Sequence, residues 1–284
     1  MQDLRIVSRD GVHHTASLHF ADPAPAAPVV LCLPAMGAAA EYYRPLGERL
    51  AHGGVANAAL LDLRGQGRST ARAREGADFG YREILEYDLP VAAAALRQVF
   101  PGQPLFLAGH SLGGQLGLFF AAAQPGMVDG LILLAAGTAH YRAWPGRDRL
   151  GAYALTAAVR LAATALPWYP GSMLGFGGDQ PRRMMRDWGR VTTRGEYRPE
   201  GSGFDYEAAA RSLELPLLSV GVRGDPVAPA TARRELLERT PRARLTLAEI
   251  DGVAAHRPWK RHFSWAREPG EMVSAISCWL REHA

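Results

Sequence analysis

The sequence predicts an α/β protein built on one mostly parallel sheet. Strand-like and helix-like stretches alternate over the first 137 residues, in the order strand, helix, strand, helix, strand, helix, strand. Runs such as PVVLCLP are continuously apolar, as strands buried on both faces are. The chain has 284 residues and is 48% hydrophobic. That is enough for one large core, or for a core with an appended subdomain.

The elements follow in order. LRIVSR and VHHTASLHF read as two strands around the turn signal Asp10-Gly11. In the second, Val12, His14, Ala16, Leu18 and Phe20 share a face. His13 and His14 read as ordinary strand residues, because nothing near them in sequence pairs with them. ADPAPAAP is a loop. PVVLCLP is a buried strand, AEYYRPLGERLAHGG a helix closed by a glycine pair. VANAALLDLRGQGRS is a strand running into a glycine-rich turn. YREILEYDLPVAAAALRQVF is helical and is broken or kinked by Pro90. PLFLAG is a strand, Leu112 to Gln124 a helix, GLILLAAG a strand.

The rhythm then stops. Residues 138–212 are rich in Trp, Tyr, Arg and Gly and show no clean strand. It resumes with the strand LPLLSVGV, a helix from Pro229 to Arg239, the strand ARLTLAEI and a helix from about Pro269 to His283. The expected division is a core in two parts, 1–137 and 213–284, with an insertion over 138–212.

Composition narrows the function. The formal net charge is +4, the pI is near 9.3, and no run of five or six like charges occurs. A nucleic-acid partner has no support. Cys32 and Cys278 sit in apolar contexts and read as two buried thiols. No CxxC or Cys/His cluster suggests a metal, and no cofactor is expected. The start, MQDLRIVSRDG, has no basic-then-apolar leader pattern. The longest apolar stretch, 151–167, is short and interrupted by Arg160. The expectation is a soluble, cytoplasmic protein without stable membrane insertion; its oligomeric state is left open.

The chemistry centres on LFLAGHSLGGQ. Gly109-His110-Ser111-Leu112-Gly113 matches G-x-S-x-G between a strand and a helix, the context that a nucleophilic serine on a tight turn requires. Gly109 and Gly113 let the backbone pass, and Gly114 lets the helix approach the sheet. The Leu112 N–H, at a helix N-terminus, would face a developing oxyanion. A serine hydroxyl also needs a histidine base, and that base an acid.

GHSLGG together with DLRGQGRS resembles the α/β-hydrolase superfamily over nearly the whole chain. LPAMG, DLRGQG, GHSLGGQ and HFSWAR are similar to a group of bacterial predicted α/β-hydrolases. The resemblance implies an order of serine, acid, histidine. It puts the acid in the loop after LPLLSVGV, which is Asp225, with Asp251 a weaker candidate and Asp205 a poor one. For the base it favours His262, because HFSWAREPGEMVSAISCWL reproduces the layout before the last helix; the long interval from Asp225 keeps His256 open. It implies that Met36, where many members carry His-Gly, supplies a second oxyanion N–H, with Gly37 and Ala38 to Ala40 leaving room for substrate. Asp62 and Arg64 would tie loops together, and His110 would support the serine from behind. The insertion would be a cap over an apolar pocket, with glycines near 175–178 as a hinge and its arginines solvated or tying cap to core. Serine at 111 argues against the carboxylate-nucleophile dehalogenases and epoxide hydrolases.

The leading function is a serine hydrolase of a carboxylic ester or related small-molecule acyl compound, acting through an acyl-enzyme. Thioester, amide or carbon–carbon hydrolysis would use the same parts. A non-catalytic small-molecule binder on the same fold, and a membrane-surface protein anchored by 151–167, are the competing classes.

Overall fold

The structure, a computed structural model, describes residues 2–22, 24, 26–253 and 257–284. Eight strands form one sheet in the order β1-β2-β4-β3-β5-β6-β9-β10. They are β1 (Gln2–Val7), β2 (His13–His19), β3 (Val29–Leu33), β4 (Asn57–Leu61), β5 (Leu105–His110), β6 (Gly130–Leu134), β9 (Pro216–Val222) and β10 (Arg244–Ile250). From β4 through β10 every pairing is parallel, while β1 and β2 add an antiparallel edge. Strands β3, β4, β5, β6 and β9 are buried at every position. That explains why their sequences are unbroken apolar runs: both faces are covered.

Helices α1 (Arg44–His52), α2 (Tyr81–Glu83), α3 (Leu89–Val99) and α4 (Leu112–Ala123) alternate with the central strands. Pro90 neither ends nor breaks its helix. A wide π-type turn over Ile84–Asp88 joins α2 to α3, and Pro90 falls in the first turn of α3, where its missing N–H is not needed. After β6 the chain enters the insertion: α5 (Asp148–Ala165), β7 (Trp168–Pro170), α6 (Gly171–Leu174), β8 (Asp179–Pro181), α7 (Arg182–Arg194) and α8 (Tyr206–Arg211). Strands β7 and β8 pair antiparallel as a small ribbon. No strand was expected here. Three residues each are too few to show an alternation. α9 (Ala230–Leu237), α10 (Arg261–Ser264) and α11 (Gly270–His283) complete the chain.

Two apolar cores flank the sheet. One joins α3 and α4 to the insertion through Met184, Met185, Trp188 and Val191. The other holds α1 and α11 through Leu46, Leu50, Ile276 and Trp279. Cys32 is buried, and burial pushes its thiol up to about 12. Cys278 is exposed, against the expectation of two buried thiols. On α11 the inward stripe is Met272, Ile276, Trp279 and Leu280, and Cys278 falls on the other face.

The glycine-rich turn after β4 is a loop clamp. The Asp62 carboxylate accepts N–H bonds from Ala40 (2.8 Å) and Arg68 (3.0 Å). A Cβ on Gly67 would overlap that carboxylate. Arg64 bridges Asp88 (2.6 Å) and Asp10 (2.7 Å). His14, which lacks a partner nearby in sequence, meets Asp88 at 3.2 Å in space. Burial pulls the Asp88 carboxyl up, but hydrogen bonds from His14 and Arg64 outweigh it and hold the group below its ordinary value. Burying these charges is tolerable only because each is paired.

Candidate active site

β5 ends at His110 and α4 begins at Leu112. Ser111 alone makes the reversal, at φ 53° and ψ −117°. A non-glycine residue holds such a backbone only where its surroundings over-determine it. Three glycines do this. A Cβ on Gly109 would overlap the backbone of Gly113. One on Gly113 would lie 2.6 Å from the carbonyl oxygens of both Leu33 and Pro34. One on Gly114 would lie 2.6 Å from Ala136 Cβ. The Ser111 N–H donates to the Leu134 carbonyl at 3.1 Å, locking the turn onto β6. The Leu112 N–H is in the first helical turn, where no intrahelical acceptor exists.

Asp225 sits in the loop after β9 and is buried. Its Oδ1 accepts from the N–H groups of Val227 (2.8 Å) and Ala228 (3.2 Å). Its Oδ2 lies 2.6 Å from His262 Nδ1, with both side chains at most 1% exposed. A carboxylate acceptor puts the proton on Nδ1 and leaves Nε2 as the free base. That Nε2 is buried and has no hydrogen-bond partner among the described residues. His256 lies outside the described residues. Asp251 instead pairs with Arg223 at 2.6 Å, and Asp205 caps α8 through the Ala208 N–H.

The loop after β3 forms a turn in which Ala38 N–H donates to the Ala35 carbonyl, with Met36 and Gly37 between them. Gly37 has φ 79°, the value the third position of a type II turn requires. Gly113 of α4 abuts Leu33 and Pro34, where this loop begins. The expectation that Gly37 leaves room for substrate is corrected here. A Cβ on Gly37 would overlap Gly177 of the insertion, and one on Gly177 would lie 2.9 Å from Met36 Cε. The insertion therefore packs directly on this loop. Two described cavities, of about 350 and 620 Å³, lie along α9 and are lined by none of Ser111, Asp225 or His262.

One residue escaped sequence reasoning. Tyr43 Oη accepts from the Ala35 N–H at 3.1 Å and lies 2.6 Å from His110 Nδ1. Burial pushes the Tyr43 phenol far up, so it keeps its proton, and that proton is donated to His110. The His110 ring lies 4.6 Å from the His262 ring, tilted by 39°, and packs against Phe263 and Trp265. Burial first, and His262 second, hold His110 well below its ordinary value, against a smaller upward pull from the His262 backbone. A neutral ring thus packs beside His262, and Tyr43 links it to the Ala35–Gly37 loop. No local signal marks Tyr43, because the ring it bonds, His110, lies 67 positions along the chain.

A family model described as serine aminopeptidase, S33, matches residues 24–191, more than half of the chain. The chain belongs to this family. A shorter likeness is to monoglyceride lipase of Homo sapiens, 32% identical over 73 residues. That match takes in 25% of this chain and 22% of the lipase, so it spans about a fifth of the relative's length. Among solved structures, DcsB in complex with its substrate analogue superposes with a TM-score of 0.69 at 14% identity, covering 100% of this chain and 99% of that one. The monoacylglycerol lipase of Paleococcus ferrophilus gives 0.60 at 16% identity, covering 100% of both chains. At such identities these neighbours establish the α/β-hydrolase fold. With the family match, the chain is an enzyme of the α/β-hydrolase class.

Proposed function

We propose that this S33-family chain is a serine hydrolase that cleaves a carboxylic ester through an acyl-enzyme. Two observations support the reading: the buried 2.6 Å pair of His262 and Asp225, and a serine held at φ 53° on the turn between β5 and α4. Ser111 Oγ attacks the acyl carbon while its proton passes to His262 Nε2. Asp225 holds the ring's other N–H and stabilises the imidazolium. The N–H groups of Leu112 and Met36 receive the oxyanion. His262 then gives the proton to the departing alcohol. A water molecule, deprotonated by the same nitrogen, releases the acid and restores Ser111.

The insertion, residues 138–212, acts in this reading as a cap that closes on Met36 and Gly37 through Gly177 and Gly178. The substrate is a single-chain acyl ester of the monoacylglycerol type, a reading supported by the names of two of the proteins it resembles. Amide cleavage, which the family's description suggests, uses the same groups. The cellular setting that fits is the cytoplasm. A panel of p-nitrophenyl esters of increasing acyl length, monoacylglycerols and aminoacyl p-nitroanilides tests the proposal. Ester turnover that peaks at one chain length and vanishes in Ser111→Ala supports it. Turnover of the anilides alone overturns the ester assignment, and no turnover of any kind favours a binder.

A further inference from the structure

The Asp225 side chain is wholly buried, so its two oxygens depend on the few donors that reach them. Oδ2 faces His262 Nδ1. Oδ1 accepts two backbone N–H groups, and the shorter of these bonds, at 2.8 Å, comes from Val227. That N–H belongs to the peptide between Pro226 and Val227. A trans peptide is planar, and its N–H and C=O point opposite ways. With the N–H turned to Asp225, the Pro226 carbonyl is turned away from it. There it accepts a hydrogen bond from Trp144 Nε1 at 2.9 Å. One peptide is thus held at both ends, by the buried carboxylate on one side and by an indole of the insertion on the other.

The indole is itself fastened. Trp144 follows the short helical turn Tyr141–Ala143, and the Thr231 hydroxyl of α9 donates to the Ala143 carbonyl. A few residues earlier, the Thr138 N–H donates to the Ala232 carbonyl at 2.9 Å. The start of the insertion therefore lies along the loop and helix that follow Asp225. A donor on a carbonyl polarises the peptide and strengthens the N–H at its other end. Without the indole, that peptide is free to turn. A turned peptide takes a donor from a buried carboxylate, which water does not reach to replace it. Trp144 is only half-buried, so water can take over part of its own role on the carbonyl, and the loss is of a few-fold.

We propose that Trp144 is a positioning residue for the acid. Its N–H, acting through the Pro226–Val227 peptide, fixes Asp225 Oδ1 and so the direction from which Oδ2 holds His262. The assignment deepens the serine-hydrolase reading, on which it rests for the roles of Asp225 and His262. It makes the start of the insertion part of the reacting geometry, although Trp144 and Pro226 are 82 positions apart.

The test removes the N–H and keeps a ring. Trp144→Phe is compared with 3-benzothienylalanine placed at position 144, an isostere in which sulfur stands for the indole N–H. The first readout needs no substrate. The low-field proton resonance of His262 Nδ1–H, assigned by its loss in His262→Ala, reports the bond to Asp225 and should shift or broaden in both variants. The second is hydrolysis of a soluble short-chain ester. There kcat should fall about three- to ten-fold with KM unchanged, while Leu161→Glu, on the exposed side of α5, alters neither constant. An unmoved resonance overturns the proposal, and so does an unchanged kcat or a rise in KM alone. A change in Trp144→Phe that the isostere does not reproduce assigns the effect to lost packing and overturns it too. If the unmodified chain turns over no ester, the ester reading fails while the resonance still decides the role of Trp144.

Discussion

The serine turn and the outer face of α5 are opposite solutions to the placement of side chains. Around Ser111 nothing has room to move: three successive close approaches admit only glycine, and the strained φ follows. On α5, large apolar groups stand in solvent with no neighbour to position them. The first region fixes reacting atoms by exclusion, whereas the second fixes nothing within the chain. The insertion that carries α5 meets the core where Gly177 and Gly178 rest on Gly37 and Met36. Substitutions in the first region should therefore act on chemistry or folding, and those in the second on neither.

The largest effect belongs to the proposed nucleophile, Ser111. Ser111→Ala should lower kcat by up to about 10⁶-fold in a folded protein, and Asp225→Asn by about 10⁴-fold through the wrong His262 tautomer. Steady-state kinetics beside a circular dichroism spectrum checks both. Gly109→Ala should cost more than about 3 kcal/mol, because the obstacle is backbone and cannot rotate aside; denaturant unfolding reads it. Tyr43→Phe orphans the Ala35 N–H and frees His110. About ten-fold should be lost from kcat with little change in KM, and a rise in KM alone would speak against this positioning role.

A pH effect follows from His110. Its folded-state value lies below the unfolded one, near 6.5, so the unfolded chain binds the extra proton first. Stability from this group is complete above about pH 6.5 and declines as pH falls, by at most about 1.4 kcal/mol per pH unit. His110→Gln should flatten that decline in unfolding experiments between about pH 6.5 and 5. The difference between the two proteins removes the contribution of His19, which burial also depresses. The smallest effect is at the cap: Leu161→Glu should change stability by less than about 0.5 kcal/mol.

The same contrast explains what was legible in the sequence. GHSLGG was readable because steric exclusion dictates glycine at fixed offsets from the serine. The strands were readable because burial on both faces leaves only apolar residues. Asp225 was chosen as the candidate acid from its place after β9 and His262 as the candidate base from the spacing ahead of α11, and the two side chains meet at 2.6 Å. Tyr43 stayed hidden because its partner is 67 positions away, and no local pattern records such a contact. The His14–Asp88 pair, and the seating of Gly177 on Gly37, were hidden for the same reason.

The central claim is that Ser111 is activated by His262 held on Asp225. Its most direct test is the mass of the intact protein after brief exposure to a fluorophosphonate, for the unmodified chain, Ser111→Ala and His262→Ala. One adduct on the unmodified chain, absent from the first variant and formed far more slowly on the second, is the result predicted. Labelling of His262→Ala at the unmodified rate would contradict the account and hand the role of base to another residue.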